Sequence, residues 1–356
     1  MKKKIIFVAP GNSSHSLKWI STIKNQNNFE ILWLSFYGQD EKIDDIEQHS
    51  FSKNIFGIIK SISIIKNNQD AIIHIHSVGF HSIFFVLAKL LGIKNKIIST
   101  PWGSDLIFGI KSIFKRKLLK FLFNNSDLVT CDALFIENLV KDLNKQVNIT
   151  IINFGVDTDK FLFFKRTFET EDKLKILSNR SLEDIYNIES IIKASEILHR
   201  KEINFELNIY AEGSLSQDLK DLVYKMKLSS KVKFKGRYTQ DSLINILNEN
   251  HIYISMARSD AGIASSTAEA MSTGMLCCVS DVAENNLWIK DKNNGFLIED
   301  DNHNELANQI EEIYKKGFYL EEIAKNARNK ITDDNSIKGE MNKMSILYRN
   351  LGRAVE

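Results

Sequence analysis

Residues 259–271, SDAGIASSTAEAM, set two serines, a threonine and a glutamate at the start of a helix-forming run. The apolar stretch 252–256 precedes them, so the segment reads as strand, loop and helix start. Ser265 or Ser266 is placed to cap that helix, and Glu269, three residues after Ser266, completes the spacing of a capping box. The same residues have a chemical use. Free N–H groups and the positive dipole end of a helix attract phosphate, and a nearby carboxylate accepts from sugar hydroxyls. Arg180 ends the run Ser178-Asn179-Arg180, where a guanidinium can fork onto a diphosphate or make an ordinary surface pair. Ala211-Glu212-Gly213 and Gly236-Arg237-Tyr238 are two further polar, glycine-bearing turns.

The first half offers other groups. Pro101-Trp102-Gly103-Ser104-Asp105 joins an aromatic wall, a glycine and a carboxylate, or is simply a turn with a Ser or Asp helix cap. His74, His76 and His81 invite a metal, but no Asp, Glu or Cys joins them at ligand spacing, and His74 alternates with apolar neighbours as a packed strand residue does. The turn Pro10 to His15 has one glycine, so it supplies neither a dinucleotide fingerprint nor a P-loop.

Elements to position these groups follow from the apolar pattern. Strands are expected at 4–8, 30–35, 71–75, 96–100, 128–131 and 149–153, then at 175–177, 206–210, 231–234, 252–255, 276–280 and 295–298, separated by helical segments. Continuous apolar strands alternating with helices give parallel, doubly wound α/β sheets, one per half of the chain. With 356 residues, 43% of them hydrophobic, two cores are affordable. The expected domains are 1–155 and 156–335, with a C-terminal helix at about 336–356 able to pack back on the first. Two such Rossmann-like domains facing across a cleft would line it with the loops at their strand carboxyl ends, where open α/β sheets bind ligands.

Charge and composition narrow the class. Residues 1–155 carry 19 Lys/Arg against 12 Asp/Glu, and the remainder 28 against 33, so a net +2 hides two halves of opposite character. Cys131, Cys277 and Cys278 are too few and partly adjacent for a disulfide framework or a zinc site, which points to the cytosol. The opening Lys-rich stretch imitates a signal peptide, but Pro10 ends its apolar run too early, and 83–91 falls far short of the ~20 residues of a membrane span. A dehydrogenase would need the missing glycine fingerprint, and a two-domain solute-binding protein an export signal. A non-hydrolysing sugar-nucleotide epimerase stays open as an alternative.

The ordered set Asn153-Phe154-Gly155-Val156-Asp157 with Phe161, Ser178-Asn179-Arg180, Ala211-Glu212-Gly213, Gly236, Glu269-Ala270-Met271 and Asn285 to Ile289 with Gly295-Phe296-Leu297 resembles the retaining glycosyltransferases of family 4, which have the GT-B fold. His15, Trp19 and Trp102 to Asp105 are similar to first-domain motifs of a bacterial glycan-biosynthesis subgroup. The resemblance implies transfer of a hexose-type sugar from a nucleotide sugar to a glycan or lipid-linked acceptor, without cofactor, metal or nucleic acid. It implies Glu269 on the donor ribose, Arg180 on the diphosphate beside the N–H groups of Ser265, Ser266 and Thr267, and Gly213 and Gly236 in the same site. His15 and Asp105 would orient the acceptor hydroxyl in the first domain. Two positions depart from the pattern. The acid expected eight residues before Glu269 falls on Ala261, leaving Asp260 as its substitute, and no lysine follows Arg180, which acts alone or with Arg237 or Arg258.

The last feature is 111–123, KSIFKRKLLKFLF, which puts Phe114, Leu118, Phe121 and Leu122 on one helical face and Lys111, Lys115, Arg116, Lys117 and Lys120 around it. The cations are either a solvated face or a contact to an anionic membrane, placing the protein at the inner face of the cytoplasmic membrane.

Overall fold

A computed structural model describes residues 2–36, 38, 42–168, 172–316 and 320–352. The chain divides into two compact units, Met1–Gly155 with Ile337–Glu356, and Val156–Ser336. Unit 1 holds strands β1 (Lys3–Val8), β2 (Phe29–Ser35), β3 (Glu47–Ser50), β4 (Ile72–His76), β5 (Ile97–Thr100), β6 (Leu128–Cys131) and β7 (Ile149–Ile151) in the order β3-β2-β1-β4-β5-β6-β7. Unit 2 holds β8 (Leu174–Ser178), β9 (Phe205–Ile209), β10 (Val232–Phe234), β11 (Ile252–Ser255), β12 (Leu276–Ser280) and β13 (Phe296–Ile298) in the order β10-β9-β8-β11-β12-β13. All pairs are parallel. The order reverses between β1 and β4 in one sheet and between β8 and β11 in the other, and at such a switch point adjacent loops splay apart and leave room for a ligand.

Central strands are buried on both faces, which is why they read as unbroken apolar runs. Strand β3 escaped the sequence reading because its residues, EQHS, are polar; it is an edge strand held in register on β2, Leu32 opposite Glu47. The chain leaves unit 1 at Gly155, whose φ of 73° and whose approach to Ile337, 2.6 Å from where a Cβ would stand, both require glycine. It returns as the helix Ile337–Gly352, which buries Ile337, Met341, Met344 and Tyr348 against the unit 1 core. Tyr348 Oη lies 2.5 Å from His74 Nδ1, and His74 Nε2 lies 2.6 Å from Thr100 Oγ1, so this helix is tied to the middle of the unit 1 sheet by polar as well as apolar contacts.

The helix expected across 111–123 is present but starts two residues later. One helix, Ser104–Ile110, ends before Lys111, and a second runs Ile113–Asn124. Its buried seam is Leu119, Leu122 and Phe123, spaced i, i+3, i+4, rather than the expected stripe beginning at Phe114, which is 70% exposed. The apolar side chains of its first turn, Ile113 and Phe114, stand in solvent.

Candidate functional site

In unit 2 the loops after β8 and β11 flank the switch point, and they carry Arg180 and Asp260. The Arg180 guanidinium is 8% exposed, donates to Asp260 Oδ1 at 2.6 Å and lies 4.4 Å over the Tyr186 ring. Burial holds the Asp260 carboxyl above its usual range, and Arg180 opposes that shift. Among the described residues Asp260 is the one hydrogen-bond partner of Arg180, so most of its fork is unspent. Polar atoms without a partner collect at the same strand ends: Ser178 Oγ at the end of β8, Asn179 Oδ1 just after it, and Ser255 Oγ at the end of β11. Asn179 Nδ2 donates to Tyr238 Oη at 3.2 Å, and burial together with nearby Glu269 pushes the Tyr238 phenol up to about 12.

The helix after β11 runs Ser265–Ser272 with Ala264, not a serine, at its cap position. The expected capping box is therefore absent. The helix starts two residues earlier than a cap at Ser266 would require, Ser266 lies inside the first turn with its hydroxyl 2.8 Å from Tyr253 Oη, and Glu269 stands beyond the position from which it could reach back. The N–H groups of Ser265, Ser266 and Thr267 have no acceptor among the described residues, which leaves this end open to an anion. Glu269 is half-buried on the same helix.

The two glycines differ. Gly236 has a φ of 74° with open space around it, whereas a Cβ on Gly213 would stand 2.4 Å from Leu182 O, so Gly213 lets the loop after β9 pack on the loop after β8. The auxiliary cations are engaged elsewhere. Arg237 pairs with Glu212 at 2.7 Å, and Arg258 donates to Asp184 O and Oδ1 at 2.6 and 2.9 Å. Tyr238, from the turn Gly236-Arg237-Tyr238, joins the cluster together with Tyr186 and Tyr253, which carry no sequence signal. Tyr253 reads in the sequence as one more apolar strand residue, and Tyr186 follows Arg180 in a run, 183–187, with no motif of its own.

At the unit 1 switch point the surroundings are aromatic. The His15 ring lies 4.5 Å from Phe154 and 6.0 Å from Trp102, and burial and Lys18 lower its pKa. His76 closes β4, one residue further than expected, 4.9 Å from Trp19 with neither ring nitrogen partnered; burial takes its pKa down to about 3. His81 stacks on Phe36 in a different place. Among the described residues no group of three or more His, Cys, Asp or Glu could hold a metal. Asp105 accepts from the N–H groups of Val78 at 2.7 Å, Trp102 at 2.9 Å and Leu106 at 2.8 Å, which rivets the loop after β5 to the loop after β4. Burial pushes its carboxyl up to about 6, against the three donors that favour the ionised form. It lies in the first turn of the helix Ser104–Ile110, whose cap is Gly103 at a φ of 88°.

Two family models match side by side: Glycosyl transferase 4-like over residues 4–133 and Glycosyl transferases group 1 over residues 159–330. The chain is 24% identical over 322 residues to UDP-Gal:alpha-D-GlcNAc-diphosphoundecaprenol alpha-1,3-galactosyltransferase of Escherichia coli, covering 84% of this chain and 80% of that protein. Its fold is that of a Rickettsia africae glycosyltransferase, with a TM-score of 0.79 at 19% identity over 98% of both chains. It is also that of Anabaena HepE in complex with UDP, with a TM-score of 0.79 at 13% identity over 98% of this chain and 100% of that one. With both sheets, both family models and a relative spanning most of its length in agreement, the chain is a glycosyltransferase of the GT-B fold.

Proposed function

We propose that the chain moves a hexose-type sugar from a nucleotide sugar to a lipid-linked glycan acceptor, with retention of anomeric configuration, in the synthesis of a bacterial surface polysaccharide or glycoconjugate. The observation that carries this reading is the buried, largely unspent Arg180 fork at a switch point that also holds an uncapped helix start. Departure of a nucleoside diphosphate builds negative charge on its outer phosphate, and fixed donors in a buried setting stabilise that charge without reorganising. In this scheme Arg180 and the N–H groups of Ser265 to Thr267 take the diphosphate, Glu269 accepts from the ribose, and Gly213 and Gly236 shape the loops around it. Asp260 takes the transferred sugar in place of the absent acid at Ala261. Unit 1 receives the acceptor, with Asp105 and His15 directing its hydroxyl. The relative in Escherichia coli is named for a UDP-linked donor and a diphosphoundecaprenol-linked acceptor, and a structural neighbour holds UDP.

The protein would work at the cytoplasmic face of the membrane, the cations of the helix Ile113–Asn124 resting on anionic headgroups, each worth ~1 kcal/mol near the surface. Among the described residues no helix is long and apolar enough to cross a membrane. Incubation with a panel of nucleotide hexoses, without acceptor and with EDTA present, tests the chemistry. Slow release of nucleoside diphosphate is expected, and Asp260→Asn should depress it. Interconversion of the nucleotide sugar with no release would make the chain an epimerase instead. Sedimentation with anionic and neutral vesicles tests the location, with salt-sensitive binding to the anionic ones expected.

A further inference from the structure

The helices Phe80–Leu90, Ser104–Ile110 and Ile113–Asn124 of unit 1 border a cavity of about 550 Å³. That size lies within the ~300–1,000 Å³ usual for small-ligand sites. Val78, Ile83, Phe114, Leu118, Leu119 and Leu122 make its wall apolar, and Asp105 and Lys115 are its two charged members. Three N–H groups offset much of the charge of the Asp105 carboxylate, whereas Lys115 has no ion pair among the described residues, so the net charge the cavity offers a ligand is positive.

The surroundings repeat that combination. Ile113 is 81% and Phe114 70% exposed on one bordering helix, and Leu90 is 58% exposed on another. Large apolar side chains standing in water beside an apolar cavity mark a binding surface rather than a folding need. Residues 71–126 hold eight Lys/Arg and a single acid, Asp105. Lys115, Arg116, Lys117 and Lys120 are all exposed, with no ion pair among the described residues. A polar sugar or nucleotide would forfeit hydrogen bonds against six apolar walls. An apolar chain alone would leave Lys115, the one cation in the cavity lining, without a counter-charge. The complement of both is an apolar chain ending in phosphate.

We propose that this cavity takes the phosphate-proximal part of the isoprenoid chain of a lipid diphosphate, with Lys115 and its neighbours on the phosphates. The proposal rests on the glycosyltransferase reading above, in which that lipid carries the acceptor sugar. It assigns Leu118, Phe114 and Lys115 to selection of the acceptor by its carrier, a role separate from the donor site in unit 2.

Farnesyl diphosphate below its micellar concentration is a suitable probe, titrated into the full chain with UDP present, alongside inorganic pyrophosphate and farnesol. The wild type should bind farnesyl diphosphate more tightly than either fragment. Leu118→Trp, which fills the cavity, and Phe114→Ser, at an exposed position that folding tolerates, should each weaken it by about tenfold or more, the cost of losing a few methylene contacts. Lys115→Gln should weaken it less and reduce its salt dependence. UDP titrations should be the same in all variants. If farnesyl diphosphate binds Phe114→Ser and Leu118→Trp as it binds the wild type, or if pyrophosphate alone competes equally, the cavity holds no chain and the proposal falls. A wild type that binds farnesyl diphosphate but no nucleoside diphosphate would instead overturn the donor-site reading and leave the chain site standing.

Discussion

Two buried arginines in unit 2 differ in how fully their donors are matched by the fold. Arg166 is 5% exposed and donates to four backbone carbonyls, those of Asn250, Phe164, Thr273 and Leu247, at 2.6 to 3.1 Å. Those carbonyls include helix ends, whose last C=O groups lack partners within the helix. Arg180 is buried nearly as deeply but spends one donor on Asp260 and lies beside strand ends with unpartnered polar atoms. Burying a guanidinium without matching its donors is costly, so a fold retains it where something else supplies the matching charge. Burial alone does not distinguish the two residues; the count of satisfied donors does.

The comparison can be broken in several ways. Arg166→Met should lower stability by about 3 kcal/mol, because several buried carbonyls lose their donor together, while the folded fraction binds UDP as before. Chemical denaturation checks the first statement and titration the second. Glu269→Gln should act the other way, weakening nucleotide binding by roughly 1 to 3 kcal/mol with an unchanged melting midpoint, since the glutamate does not close the helix end it was expected to cap. A variant that melts early and binds normally would return Glu269 to a structural role.

The smallest effect concerns Asp105, whose carboxyl sits at about 6 in the fold against an ordinary 3.8. The native chain then holds this proton more tightly than the unfolded chain. Its contribution to stability is therefore full below pH ~4 and is lost as pH rises through ~6. Asp105→Asn should flatten the stability profile over that window by about 1 to 2 kcal/mol, as measured by denaturation at pH 4 and pH 7. An unchanged profile would mean that the three N–H donors, rather than burial, set the state of this group.

Much of this was legible in the sequence where burial on both faces forces an unbroken apolar run. Strands β6, β11 and β12 have the bounds the pattern implies, because every one of their residues is buried and no charged residue interrupts them. What the pattern hid was set by tertiary contacts. The polar edge strand β3 exists because β2 offers a free edge, and no apolar face records it. Ser266 caps nothing because Tyr253, thirteen positions earlier in the chain, takes its hydroxyl. Asp105 was visible as a carboxylate at a strand end, but the Val78 N–H that engages it comes from a different loop. The ordered motifs placed Arg180 and Asp260 in the first and last of four loops of interest, and the pairing of β8 with β11 explains why they meet.

The central claim is that the Arg180 fork is kept for a diphosphate. Calorimetric titration of UDP and of uridine into the wild type and Arg180→Lys tests it directly, because lysine keeps the charge opposite Asp260 but not the fork. UDP affinity should fall by about tenfold or more while uridine binds both proteins alike, a loss of ~1.4 kcal/mol confined to the phosphates. Equal UDP affinity in the two proteins would contradict the account and leave Arg180 as no more than the partner of Asp260.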